Sequence, residues 1–518
     1  MKNLKKAVSI ILALVMAGLI LSGCGQKANP GGETTAKGTT AAVDNGTEPN
    51  TAKLDFAKVK LNVAGSEQKD HDKVAAEYNK ILKEKINAEL DIEVMAWDTF
   101  RDKLVAMYSS NEPLDLIFTG SGLGYIDDVN RQAFLPIEDE MIDKYAPEMK
   151  ANINPLYLQG PKVKGKLYMI PTNKEIAEGK SLMIRKDIAD KYGLDITKIR
   201  GGVDELIPFL ERVKAGEKEM SPLAGDVAWY GVTTKYIDSM AKYSQAAGNY
   251  FVNVEDGKVY SAFDLDWVVD KYKIYRELYQ KKLFSLDVQE GVLSQDDAVK
   301  TGKVAAWSGM NKPGEAKSTQ IYFGLEQEPY MLAGAKPLIT TSSTSGAGLA
   351  IRATSKNAER AMRIINLLWS DSEIIHLVQE GIENVHYVKV NDTQKKLPDG
   401  MASTGDTGYD TGFGWMFGNL FQTYVWDTEA PDKHKQFEEF NASGFVSPTL
   451  GFVFDQEPVK TELASLSSID GKYIGMLDKG QLDVDDALKK LKEELKAGGV
   501  DKVIAEVQRQ YDEWKATK

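Results

Sequence analysis

Between Val59 and Phe118 the hydrophobic period switches repeatedly from two to nearly four residues, and this constrains the fold more than any other feature of the chain. Val59, Leu61 and Val63 alternate with polar residues, as in a half-buried strand. Val74, Tyr78, Ile81, Leu82 and Ile86 then recur at helical spacing, and Leu90, Ile92 and Val94 alternate again. This is a strand–helix–strand unit. A second helix is expected from Thr99 to Ser109 through Phe100, Leu104 and Met107, leading to a buried strand at Leu114–Phe118 that ends in Thr119-Gly120-Ser121-Gly122. Strands alternating with helices imply an open α/β sheet, whose ligands bind beyond the carboxyl ends of the strands.

The pattern continues downstream. Lys166–Pro171 reads as an edge strand after a glycine turn, Leu182–Arg185 and Val304–Ser308 as further strands. Asp204–Lys214 and Trp267–Gln280 read as amphipathic helices. Thr340–Gly346 is a Ser/Thr/Gly-rich crossing segment before a strand at Leu349–Ile351. Asn357 is expected to cap a helix whose apolar face is Ala361, Ile364, Ile365, Leu368 and Trp369. Residues 398–414, rich in Gly, Thr and Asp, read as a long loop, and such loops are often functional. The C-terminal end carries two helical stripes, Val484, Leu488, Leu491, Leu495 and then Val500, Val503, Ile504, Val507, Tyr511, Trp514, broken at Gly498-Gly499. From Leu54 to Trp514 there are roughly 460 residues, too many for one core, so two or three domains are expected.

Composition removes several functions. The formal charge is −12, which argues against nucleic acid as a partner and against a basic membrane-binding face. Cys24 is the single cysteine, so the folded part has no disulfide and no thiolate metal site. His71, His376, His386 and His434 are widely separated and form no ligand pair, and no calcium-loop pattern is present, so no metal and no cofactor are expected. No phosphate-binding Gly-x-x-x-x-Gly-Lys-Ser/Thr loop occurs, which places ATP hydrolysis elsewhere, and no Gly-x-Ser-x-Gly elbow occurs.

The first 23 residues have a basic start at Met1–Lys6, an apolar run from Ala7 to Leu21 and small residues before Cys24. This is the pattern of a secretory signal, and the run is short for a transmembrane helix. Leu21-Ser22-Gly23-Cys24 resembles the lipobox of bacterial lipoproteins, which implies lipidation at Cys24 and palmitate-type acyl chains, several of which together give stable anchoring. Removing Lys2, Lys5 and Lys6 with the signal takes the formal charge from −12 to −15. Residues 25–53 have no aromatic residue and one valine as their only large aliphatic, the composition of a disordered tether reaching roughly 30 Å.

Several stretches in order resemble the extracellular solute-binding proteins of ABC importers, the broad family 1 that includes the maltose-binding protein. Gly165–Pro171 is similar to a "GKxYxxP" strand, and Ser181–Asp187 to an "LxYxKD" strand, with Arg185 where Asn is common. Gly346–Ile351 with Ser355–Ala361 resembles "GxxxAIxxxSKNPExA", with Ala358 in place of the usual Pro. Phe452–Glu462 and Ala505–Trp514 look like the extra C-terminal module of a Gram-positive lipoprotein subset. The resemblance implies a two-lobed α/β fold of the periplasmic-binding-protein type II, with a hinge and a ligand cleft between lobes. It implies lobe one at 54–172 plus 343–397 and lobe two at 173–342 plus 398–518. It also implies a monomer, anchored by lipid at the extracellular face of a Gram-positive membrane, that delivers a carbohydrate, such as an oligosaccharide, to the permease transmembrane subunits.

Sugar recognition needs flat apolar faces for ring C–H groups and fixed polar groups for hydroxyls. Trp97 and Asp98 follow a strand and are candidates for the cleft; the alternative is a core tryptophan and a helix N-cap. Thr119 and Ser121 lie beyond another strand, with a plain tight turn as the alternative. Trp229, Trp307 and Trp415 are candidates for stacking from the second lobe, whereas Trp267, Trp369 and Trp514 sit on helical stripes and read as core. In the long loop, Asp406, Tyr409 and Asp410 are candidate hydroxyl acceptors or a solvated surface. Glu383, Asn384 and His386 lie in a segment resembling "GxExxHY", which serves either a ligand or as a brace of the hinge or lobes. Two other functions stay open: a sensor lipoprotein presenting its ligand to a membrane kinase, and a glycosidase, which needs two carboxylates about 5–10 Å apart. The expectation is a binding protein and not an enzyme.

Overall fold

A computed structural model of the chain describes residues 54–110, 112–199, 202–225, 242–330 and 336–518. The strand–helix–strand unit forms as its periodicity dictates. Ala57–Ala64 and Ala88–Met95 pair in parallel, with Leu61 opposite Ile92. The helix His71–Ile86 between them buries Val74, Tyr78, Leu82 and Ile86, one stripe at four-residue spacing. It stops at Asn87, whose left-handed conformation (φ 47°) ends a helix at little cost for asparagine. Leu116–Thr119 adds in parallel on the other side, and Gly348–Ile351, running antiparallel to both neighbours, joins it to the edge strand Met169–Pro171. The helix Ala358–Ser370 covers this sheet with the apolar face read from sequence, Ala361, Ile364, Ile365, Leu368 and Trp369 all buried. Asn357 stands at its N-cap position but makes no capping bond. Its amide instead donates to Lys58 O and the Asp115 carboxylate, tying the helix start to two strands.

The second lobe has its own four-stranded sheet in the order Gln327–Tyr330, Lys180–Arg185, Val304–Met310, Ser221–Ala224. The helix Val203–Gly216 buries Leu206, Ile207, Leu210 and Val213 against it. A three-stranded antiparallel sheet follows, Tyr243–Ala247, Tyr250–Asn253 and Val259–Ser261. It shares a core with three C-terminal helices, Lys460–Asp478, Val484–Ala497 and Val500–Lys515. The helix Asp266–Gln280 serves both cores: Trp267, Val268 and Tyr272 face the C-terminal helices, and Tyr275 and Leu278 face the four-stranded sheet.

Three chain segments join the lobes side by side. Glu178 and Leu338 exchange backbone hydrogen bonds of 2.8 Å each way, and Leu338–Ile339 pairs in parallel with Phe445–Val446. Tyr157, Ile176, Ala177, Ile339 and Leu450 form a small core at this crossing. Asn441 is buried beside it. Its carbonyl oxygen accepts from the Ile176 and Ala177 amides at 2.8 and 3.0 Å, and its amide donates to Lys174 O at 2.9 Å. The third crossing falls near residue 445, later than the sequence suggests. Residues of the long loop and the stretch just after it, expected in lobe two, pack instead into the lobe-one core, through buried Tyr409, Phe413, Met416 and Phe417. Tyr409 Oη donates to Val378 O and Gln379 donates to Phe417 O, which fixes this segment on the helix Ser372–Glu380. Hydrophobic burial overrides a composition that reads as solvent-facing.

Candidate functional site

A cavity of about 1080 Å³ opens between the lobes. Lobe one contributes Ser121, the helix residues Ile126, Asp127 and Asn130, and Lys164. The crossing segments form its back through Glu178, Leu338, Thr340, Thr341, Ser342 and Ser345. Lobe two supplies an apolar wall of Tyr243, Phe251, Phe445, Phe452 and Phe454 with interspersed polar groups. The Ser121 turn is held against the back by its own chemistry. Its amide donates to Ser345 O at 2.8 Å and its hydroxyl lies 3.2 Å from Ser342 Oγ. A Cβ at Gly120 would collide with the Gly346 carbonyl, so the close approach needs glycine there. At the far side Ser244, Ser447 and Thr449 hydroxyls lie 2.7–2.9 Å from one another, and Thr449 donates onward to Gln245 O. This cluster of buried hydroxyls ties the small sheet to the third crossing.

The hairpin Lys162–Val163/Lys166–Leu167 turns through Lys164 (φ 51°) and Gly165 (φ 79°) and carries the Lys164 ammonium across the cleft. There it meets Asp455 at 2.9 Å. The hydrogen bond from Lys164 holds the Asp455 carboxyl below its ordinary range, against the opposing effect of burial. Both partners are partly in water, so the pair is worth about 0–1 kcal/mol. It bridges lobes without locking them.

A second feature lies at the carboxyl edge of the lobe-one sheet. Trp97 begins the helix Trp97–Ser110 and Trp415 lies just past the long loop, and both residues are almost half exposed, 48% and 42%. They are nearly parallel (12°) with centroids 5.9 Å apart, and the buried Phe118 ring meets each edge-on. Large aromatic faces left in water at strand ends are costly for folding and suit a planar or C–H-rich ligand. Asp98 is exposed in the first turn beside them.

The other candidates separate. Thr119 is buried beneath the turn, at 2% exposure, while Ser121 reaches the cavity. Trp307 is corrected to a core residue: it is 2% exposed and packs edge-on to Phe323 inside lobe two, because its strand is covered on both faces. Glu383 is exposed in the turn before Tyr387, and Asp410 is exposed with its carboxylate bonded to Thr404; neither lines the cavity. His386 is buried and braces lobe one. Its Nδ1 accepts the Ile382 amide at 2.8 Å, so Nε2 carries the proton and faces Asp70 Oδ2 at 3.3 Å. Cys24 and Trp229 lie outside the described residues. The lobe-two wall leaves no signature in the sequence, because Tyr243, Phe251 and Phe452 are spread over about 200 residues without a shared motif. Among the described residues, no three His, Cys, Asp or Glu side chains gather where they could hold a metal ion. No helix there is long and apolar enough to cross a membrane.

Residues 64–373 match the sequence model of the bacterial extracellular solute-binding protein family, and residues 448–516 match a domain of unknown function, DUF3502. The chain is 25% identical to a carbohydrate ABC transporter substrate-binding protein of Streptococcus pneumoniae, with 100% of both chains aligned. Among solved structures it is similar to the N-glycan transport solute-binding protein NgtS of the same species, with a TM-score of 0.76 at 23% identity, covering 89% of this chain and 100% of that one. It is also similar to an extracellular solute-binding protein of Bifidobacterium longum subsp. infantis, with a TM-score of 0.59 at 17% identity over 88% of this chain and 98% of that one. These likenesses show the two-lobed fold.

Proposed function

Because the chain belongs to the bacterial extracellular solute-binding proteins, we propose that it captures a carbohydrate, an oligosaccharide or other glycoside, and delivers it to an ABC permease. The observation that carries this reading is the interlobe cavity of about 1080 Å³, which sets aromatic side chains against hydroxyls and carboxylates. Sugars present the same two chemistries, C–H faces and hydroxyl rims. The volume is at the upper end for a small-molecule site, which suits several sugar units. The relatives named for carbohydrates and N-glycans support the same class. In this reading Ser121 and the hinge hydroxyls bind sugar hydroxyls. Trp97 and Trp415, which do not line the cavity, give a stacking platform at the carboxyl edge of the lobe-one sheet, with Asp98 accepting beside it. Lipidation at Cys24 keeps the protein at the extracellular face of the membrane, and the segment 25–53 gives it reach.

Affinity arises when both lobes close on the ligand and remove it from water. The test is a thermal-shift screen of the purified protein against neutral oligosaccharides, monosaccharides and peptides, with product analysis of each mixture. A ligand present at 100 times its dissociation constant adds about 2.7 kcal/mol of apparent stability. A shift with one sugar class and unchanged sugar afterwards is the expected result. Shifts with peptides alone, or release of shorter sugars, contradict the proposal.

A further inference from the structure

Among the described residues, six charged side chains line the cavity: Asp127, Glu178, Asp455, Glu457, Lys164 and Lys460. Both lysines lie beside carboxylates, Lys164 at 2.9 Å from Asp455 and Lys460 at 3.5 Å from Glu457. That leaves Asp127 and Glu178 with no ammonium or guanidinium group within ion-pair distance among the described residues. Glu178 is half-buried, and its backbone is fixed by the two hydrogen bonds to Leu338 at the crossing. Asp127 lines the cavity from lobe one, exposed on the short helix Tyr125–Asn130.

On the reading given under Proposed function, we propose that this cleft selects neutral oligosaccharides and rejects acidic ones bearing uronate, sialate or sulfate, with Glu178 and Asp127 as the residues that set this selectivity. A neutral sugar donates its hydroxyls to these carboxylates, and hydrogen bonds to an ionised acceptor are the stronger kind. An acidic sugar meets two carboxylates that form no ion pair among the described residues, and the apolar wall of the cleft strengthens the field of the half-buried Glu178. Swinging Lys164 from Asp455 to a ligand does not relieve this. Asp455 then loses its partner, and among the described residues four carboxylates still face two ammonium groups. The formal charge of the whole chain, −12, adds long-range repulsion of the same sign.

The experiment is calorimetric titration of the full protein with matched pairs, a neutral oligosaccharide and the same molecule with one C6 hydroxymethyl oxidised to the uronate. Each pair is measured at low and high salt, with wild-type protein, Glu178→Gln and Asp127→Asn. The expected result is at least tenfold weaker binding of the uronate, about 1.4 kcal/mol. That ratio shrinks with salt and shrinks again in either variant. The ratio is the readout, so loss of a hydrogen bond to the neutral sugar does not confuse it. Asp127→Asn, on an exposed helix position, serves if Glu178→Gln fails to fold. Equal or tighter binding of the uronate overturns the inference while leaving carbohydrate capture standing. So does a ratio unchanged in both variants and by salt, which points to size rather than charge. Failure of every carbohydrate to bind overturns the parent reading and this inference together.

Discussion

Asn441 concentrates the hinge in one side chain. Three hydrogen bonds to residues 174–177 depend on it, in a site where water cannot replace them. Asn441→Leu leaves the Ile176 and Ala177 amides unpaired and is expected to cost about 2–3 kcal/mol in a urea titration. His386 gives a pH signature. Burial lowers its pKa from the ordinary value, against the pull of Asp70. Between the folded value and about 6.5 the unfolded chain therefore binds the extra proton. Stability is complete above that window and falls as the pH drops through it. His434, whose pKa burial also lowers, adds to the same slope. His386→Gln is expected to flatten, without abolishing, the fall in melting temperature between pH 7 and 5. An unchanged slope contradicts this assignment. The sequence pointed to the segment around His386 but left brace and ligand roles open, because the partner, Asp70, is more than 300 residues away.

At the scale of elements, legibility follows periodicity. The leucine stripe of Val484–Ala497 and the face of Ala358–Ser370 were readable because each buries one continuous row. The helix Lys460–Asp478 was not, since Ser, Gly and Lys dilute its buried Leu466, Ile469 and Leu477. The three strands between Tyr243 and Ser261 are only three to five residues long, too short for alternation to register. Yet these elements share one core. Tyr250, Phe251, Trp267 and Tyr272 pack in the same cluster as Leu488, Leu491, Val503 and Val507. The C-terminal module is therefore part of lobe two, not an appendage. Deleting residues 448–518 is expected to expose that core and yield aggregating protein with strong binding of a hydrophobic dye. A soluble, cooperatively folding truncation contradicts the shared core.

For the whole molecule, the lobes and the cavity between them follow from three adjacent crossings, one of which only tertiary packing reveals. The Trp97–Trp415 platform shows the same limit. Each tryptophan was a candidate from its local context, but their pairing joins positions more than 300 residues apart. Because both residues are almost half exposed, Trp97→Ala and Trp415→Ala should leave the fold intact while weakening oligosaccharide binding about 2- to 12-fold by calorimetry, as loss of about 0.5–1.5 kcal/mol of stacking implies. The central claim, that ligand is held between the lobes, is tested most directly by hydrogen–deuterium exchange with and without saturating neutral oligosaccharide. The account predicts slower exchange on both walls and the back together, at residues 120–130, 243–251, 338–345 and 445–457. Protection confined to one lobe, or none in these segments while the sugar binds, contradicts it.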